Sequence, residues 1–199
     1  SRDGPLAAVA VSWIPGSPLP QGQGDPRQLG DLLDAVRAVD LAQVADVLDQ
    51  PHAYAGRDRW SELMMGEAIP RLPAEWRPTA IEWVEEAASL ASVDPCLVHG
   101  DLGGPNLHWD EDGRLVGVLD WDLAQPFDHA VDVACLAHQG WENVRPVVGL
   151  DTFQRARVWW RTFGLQSVVA AVESGESEDH LALYVEGAVR WLTEVRASE

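Results

Sequence analysis

"VHGDLGGPN" at residues 98–106 and "GVLDWD" at residues 117–122 decide how this chain is read. The first stretch puts His99, Asp101 and Asn106 on one loop. The Leu-Gly-Gly-Pro between Asp101 and Asn106 lets the backbone turn tightly, so both side chains can face one cleft. The second stretch ends an apolar run at Asp120. Residues 106–121, "NLHWDEDGRLVGVLDW", read as a β-hairpin with "DEDG" at its turn. Such a hairpin brings Asn106, at the start of one arm, beside Asp120, at the end of the other.

These residue types suit one chemistry. An aspartate can take the proton of an attacking hydroxyl. One carboxylate and one amide oxygen form an incomplete Mg²⁺ site, which phosphate oxygens and waters complete. A base beside such a clamp is the apparatus of phosphoryl transfer. Each piece alone has a plainer reading. An Asp-x-Gly-Gly-Pro stretch is more often a turn, and Asn106 and Asp120 can cap the backbone of a tight hairpin.

The surrounding sequence is mainly helical. An apolar run at 6–14, "LAAVAVSWI", reads as a buried strand, and "PGSPLPQGQGDP" after it as a flexible loop. A Walker-type phosphate loop is excluded because all 14 basic residues are arginine. Asp25-Pro26 starts a helix, with Gln28 placed to complete a capping box. Leu29, Leu32, Leu33, Val36 and Val39 form its apolar stripe. Further helices are expected over 41–49 and 79–90, the latter with Ile81, Val84, Ala88 and Leu90 among its apolar positions, with an irregular stretch at 51–78 that includes a short helix near 60–66. A strand over 96–98 leads into the loop, a helix covers 131–137, and two long helices cover 153–173 and 178–196. The pattern is mainly α with a small β-hairpin element, not an alternating β/α fold.

Composition narrows the partners. The formal charge is −18, which repels phosphate backbones and argues against nucleic acid. It favours a cationic small substrate weakly, since an acidic surface also serves solubility. Cys96 and Cys135 sit in apolar runs and read as buried free thiols, suiting a reducing, cytoplasmic setting. No apolar run approaches the roughly 20 residues of a membrane span, so no membrane partner is expected. His108, His129 and His138 lack a zinc-site spacing.

His-Gly-Asp-x-x-x-x-Asn at 99–106, "VLDWD" at 118–122 and "DHAVDVA" at 128–134, in that order, closely resemble aminoglycoside phosphotransferases. The wider group includes choline kinase-like enzymes and shares its fold with protein kinases. The resemblance implies Asp101 as catalytic base, Asn106 and Asp120 as Mg²⁺ ligands, and His99 as a brace for the loop. Asp128 and Asp132 would hold structure, Asp128 by capping a helix and Asp132 by bonding to the loop. Asp122 is a candidate for a cationic substrate group or a water near the metal, and equally for a solvated carboxylate.

The resemblance extends further. "VSWIPGSPL" at 11–19 is similar to the hinge between the family's two lobes, where backbone around Ser12, Trp13 and Ile14 would face the adenine of ATP, or the base of GTP in its place. "LGDLLDAVRAVD" and "RARVWWRTFGL" resemble later helices of the family. Residues 1–16 would be the hinge strand and 17–199 the helical C-terminal lobe of a kinase-like α+β fold. The family's N-terminal lobe is absent from this sequence: its sheet, its glycine-rich loop and its phosphate-gripping lysine are not found. The chain starts at Ser1, which suggests a truncated or processed product. Taken alone it is expected to bind ATP poorly and transfer phosphate slowly or not at all. Two rival readings are a non-catalytic binding or interaction module and a metal-dependent hydrolase. Retention of all three site residues weighs against the first, and the lack of further metal ligands against the second.

Overall fold

The computed structural model describes residues 13–198. Ser12 and most of the expected strand at 6–14 lie outside the described residues. Ile14 packs on the hairpin: a Cβ at Gly117 would come within 2.2 Å of its side chain.

The first helix, α1 (Pro26–Arg37), starts where proline and an aspartate cap suggest. Asp25 accepts from the Arg27 N–H at 2.9 Å. Leu29, Leu33 and Val36 are buried, each worth about 1.5–3 kcal/mol when fully covered. Gln28 does more than cap. Its amide donates to Asp25 at 3.0 Å and to the Gly113 carbonyl at 2.9 Å, and it accepts from the Leu115 N–H at 2.8 Å. It therefore fastens the hairpin turn onto α1. The loop before α1 is also tied down rather than free: Ser17 exchanges backbone hydrogen bonds of 3.0 and 2.9 Å with Trp109, and the Gly22 N–H donates to His138.

Two expectations fail along the next stretch. The helix expected over 41–49 is a pair of 3₁₀ turns, Leu41–Gln43 and Ala45–Val47, neither with a buried residue. Without a face to bury, so short a segment has no packing to stabilise an α-helix. The short helix expected near 60–66 is present, but the rest of 51–78, expected to be irregular, is more helical than the sequence suggests. The region carries α2 (Trp60–Leu63), a π-turn (Met64–Ala68) and α3 (Ile69–Arg71). Trp60, Leu63, Met64, Ala68 and Ile69 enter the core and override the proline at 70. Helix α4 (Arg77–Ala88) buries Ala80, Trp83, Val84 and Ala87. Ile81, one of the apolar positions, is 38% exposed, while Trp83 is buried. Ala88 is exposed as well.

The β structure is two small antiparallel pairs. Strand β1 (Cys96–Val98) leads into the 99–106 loop. Strands β2 (Leu107–Trp109) and β3 (Leu115–Val118) form the hairpin expected from the sequence, with Leu107 opposite Val118. The Asp110 carboxylate accepts from the N–H groups of Asp112 and Arg114 and shapes its turn. A strand not foreseen, β4 (Gln125–Phe127), pairs with β1. Pro126 hid it, since proline belongs only on sheet edges, and a two-stranded sheet is all edge.

Helix α5 (Ala130–Cys135) follows and continues as a 3₁₀ turn to Gln139. After the short α6 (Trp141–Val144) come α7 (Leu150–Glu173) and α8 (Glu178–Ala197). Helix α7 runs through the centre, packing on α4, α5 and α8. Its Trp159, Leu165, Val168 and Val169 join Val84, Leu107, Leu136 and Leu192 in one hydrophobic core. Cys96 and Cys135 are free thiols, only partly covered rather than buried as expected. Among the described residues no helix is long and apolar enough to cross a membrane.

Candidate active site

Strand β1 ends at Val98 and hands the chain to a loop pinned from below by α5. Asp132, 2% exposed, accepts from the His99 N–H at 2.8 Å and from the Gly100 N–H at 2.9 Å. Burial pushes its carboxyl up to about 7, against the pull of those two N–H groups. The loop glycines have two separate reasons. Gly100 has φ +84°, and a Cβ there would stand 2.5 Å from the Leu123 carbonyl oxygen. Gly103 is extended, but a Cβ would lie 2.3 Å from the Cys135 carbonyl oxygen. The first needs left-handed backbone, the second close approach to α5.

His99 is fully buried. Its Nδ1 accepts from the Asp101 N–H at 3.2 Å, so the ring proton belongs on Nε2, which donates to the Leu119 carbonyl at 2.8 Å. Burial lowers its pKa and keeps the ring neutral. One imidazole thus links Asp101 to the residue before Asp120. Trp121 covers its face, with ring centroids 4.6 Å apart.

The expected trio comes together at this end of the β pairs. The Asn106 amide nitrogen donates to both the carbonyl and the carboxylate of Asp101, each at 2.9 Å. With both amide hydrogens used, Oδ1 is the atom left for a cation. The Asn106 carbonyl accepts from the Leu119 N–H at 2.9 Å, which sets Asp120 next to it. Asp120 is exposed and has φ +60°, left-handed backbone uncommon outside glycine. Its carboxylate has no hydrogen bond or ion pair among the described residues. Strain of this kind at an unpaired acid is what functional sites show.

No group of three or more His, Cys, Asp or Glu among the described residues could hold a metal. The Asn106 Oδ1 and the Asp120 carboxylate are two hard oxygen donors. They fit a Mg²⁺ ion that brings most of its coordination as water and phosphate, and do not fit a self-sufficient metal centre.

The remaining candidates separate. Asp122 is exposed and without a partner among the described residues. Asp128 is 4% exposed and away from the trio. Its Oδ1 accepts from the Ala130 N–H at 3.0 Å, at the start of α5, and its Oδ2 from Arg155 and Trp159. Trp13 is 87% exposed.

Sequence reading missed the walls of the cavity beside Asp101. It measures about 580 Å³ and takes Tyr54 from the 3₁₀ turn Ala53–Ala55, Phe163 and Ser167 from α7, and Leu183, Tyr184, Arg190 and Trp191 from α8. The two last helices supply most of its lining. Asp101 is the only carboxylate among the lining residues. Tyr54 donates to the Gln166 side chain, whose amide donates to Thr162 at 2.9 Å. No local motif marks Tyr54, because only the tertiary fold brings residue 54 to residue 101.

Comparison with known proteins agrees with this geometry. The family model described as "Phosphotransferase enzyme family" matches residues 1–168. Viomycin phosphotransferase of Streptomyces vinaceus is 31% identical over 193 residues, covering 86% of this chain and 66% of that protein. The GDP complex of aminoglycoside 2'-phosphotransferase-IIIa superposes with a TM-score of 0.70 at 16% identity, covering 87% of this chain and 62% of that one. Macrolide 2'-phosphotransferase type I gives 0.64 at 18% identity, covering 92% and 63%. The chain therefore spans slightly under two thirds of these relatives' lengths, and its fold is the kinase-like α+β lobe that they share. By the family match and the viomycin phosphotransferase relative together, the chain belongs to the phosphotransferase enzyme family.

Proposed function

We propose that the protein transfers the γ-phosphoryl group of ATP, or of GTP, to a hydroxyl of a small molecule. Antibiotics like those named for its relatives are the first candidates, with amino-alcohols next. The observation that carries this reading is the double hydrogen bond from Asn106 to Asp101, with Asp120 set alongside by the Leu119–Asn106 bond.

In this reading Asn106 holds Oδ2 of Asp101, leaving Oδ1 to face the acceptor hydroxyl. The acceptor oxygen forms a bond to the γ-phosphorus as the bond to the β–γ bridging oxygen breaks. The hydroxyl proton passes to Asp101, and the nucleoside diphosphate departs. Asn106 Oδ1 and Asp120 would hold Mg²⁺, which when bound neutralises charge on the phosphates. Neutral His99 and the Asp132 carboxyl keep the loop in register. Backbone around Ser12, Trp13 and Ile14 would face the nucleotide base, and Asp122 would meet solvent or a cationic group of the substrate. The reaction would take place in the cytoplasm, where nucleoside triphosphate is abundant. With no lysine and no glycine-rich phosphate loop in its sequence, this chain by itself would turn over slowly or not at all. A binding module would not require Asp101, Asn106 and Asp120 at one point, and a hydrolase would require metal ligands that are not beside them.

The test is transfer from γ-labelled ATP and GTP to a panel of hydroxylated antibiotics by the complete gene product that carries this chain. The expected result is Mg²⁺-dependent labelling of at least one acceptor. Nucleotide binding without transfer to any acceptor would instead favour the binding-module reading.

A further inference from the structure

We infer that Arg190 is a specificity residue that turns the acceptor pocket against polyamines and toward alcohols carried on an apolar or aromatic body with an anionic or accepting group. The inference rests on the phosphotransferase reading of Asp101 and deepens it.

Three observations carry it. First, the walls beside Asp101 are made of Tyr54, Phe163, Leu183, Tyr184 and Trp191, which offer ring faces and aliphatic surface. Leu183 is 61% and Tyr184 42% exposed, so an apolar ligand face has surface left to cover. Second, Arg190 is the only cation among the lining residues. Its guanidinium lies over Gly187, 3.7 Å from where a Cβ would stand, and makes no hydrogen bond or ion pair with another described residue. Third, the acids near Arg190 do not line the pocket: Glu186 and Glu194, four residues away on either side along α8, make no ion pair with it and are not part of the wall. Glu176, in the adjoining groove past Leu183 and Tyr184, is already bound to His180 at 2.8 Å.

The net charge of −18 points the other way at long range. Salt screens charges beyond about 8–10 Å, whereas Arg190 would act at contact distance. A polyamine in this pocket would meet one carboxylate, itself committed to the acceptor hydroxyl, and one unpaired guanidinium. A carboxylate or a row of carbonyls on the ligand would instead complete a fork of hydrogen bonds.

The test is binding to the complete gene product that carries this chain, followed by isothermal titration. The probes are phenyl β-D-glucuronide (anionic), phenyl β-D-glucoside (neutral) and neamine (polycationic). The expected order is glucuronide tightest, then glucoside, with neamine weakest. Arg190→Glu should shift the ratio of glucuronide to neamine affinity by ~10-fold or more in favour of neamine, and Arg190→Gln should fall between. Arg190 is exposed and unpartnered, so both variants should melt with the wild type, which a thermal scan checks. Neamine binding tighter than both glycosides, an unchanged ratio in Arg190→Glu, or no saturable binding of either glycoside would each overturn the inference. The titration reads binding alone. Failure of phosphoryl transfer leaves it intact, and its own failure leaves the roles of Asp101, Asn106 and Asp120 standing.

Discussion

Asp128→Asn should be among the most damaging conservative changes in this chain, although Asp128 lies away from the reacting groups. The carboxylate is 4% exposed. Its Oδ2 accepts from Arg155 Nε at 3.0 Å, Arg155 Nη2 at 2.6 Å and Trp159 Nε1 at 2.9 Å, while Oδ1 takes the Ala130 N–H. The Arg155 side chain is itself only 18% exposed. Asparagine keeps the volume but removes the charge and turns an N–H₂ toward one set of donors. Arg155, largely covered, is then left without its counter-charge at the wall of a cavity of about 670 Å³. Losing one partner of a buried pair costs about 3–5 kcal/mol. At about 2–4 °C per kcal/mol for a chain of this size, the midpoint should fall by roughly 6–20 °C. The assay is urea and thermal unfolding at neutral pH, followed by circular dichroism. Asp122→Asn, exposed and unpaired, serves as control and should stay within about 0.5 kcal/mol of wild type. Asp128→Leu combined with Arg155→Met should recover much of the loss, since an apolar pair of similar volume needs no desolvation. A cost below about 1 kcal/mol for Asp128→Asn would refute the claim that this pair anchors α5 and α7.

Two further outcomes follow from the same structure. His52 sits among Trp60, Phe127 and Trp159, with centroids 4.9, 4.7 and 5.7 Å away, and burial brings its pKa down from 6.5 to about 4. Between those values the unfolded chain binds a proton that the folded chain refuses. Its contribution is therefore whole above 6.5 and lost as pH falls toward 4, by at most ~3 kcal/mol. His52→Asn, which tolerates the φ of +56° at this position, should flatten that part of a urea-midpoint against pH curve; an unchanged slope would count against the buried neutral ring. At Asp120, φ +60° suits glycine better. Asp120→Gly should leave the fold as stable or stabilise it by up to about 1 kcal/mol while abolishing Mg²⁺-dependent transfer; a clear loss of stability would mean that Asp120 holds the hairpin and not a metal.

Much of the site was legible because it is local. Asp101 and Asn106 share one loop, and hairpin register alone carries Asp120 to Asn106. The long helices α7 and α8 were legible from their length and their apolar content. What failed did so for tertiary reasons. Residues 41–47 have no surface to bury against and stay as 3₁₀ turns, while the helix foreseen near 60–66 runs on to Arg71 because Ala68 and Ile69 have a core to enter. Pro126 disguised a strand that only its pairing with Cys96–Val98 defines. Tyr54 and Arg190 are brought to Asp101 by the packing of separate segments, which no spacing rule records.

The most direct measurement is the transfer rate of the complete gene product with Asp101→Asn, using labelled nucleoside triphosphate, Mg²⁺ and an acceptor that the wild type phosphorylates. Asparagine keeps the size of the side chain and cannot take the acceptor's proton. The account predicts a fall in kcat of ~10²-fold or more, with nucleotide KM changed little and the melting temperature held. Transfer at near the wild-type rate would contradict it, and would move the chemistry away from the "VHGDLGGPN" loop.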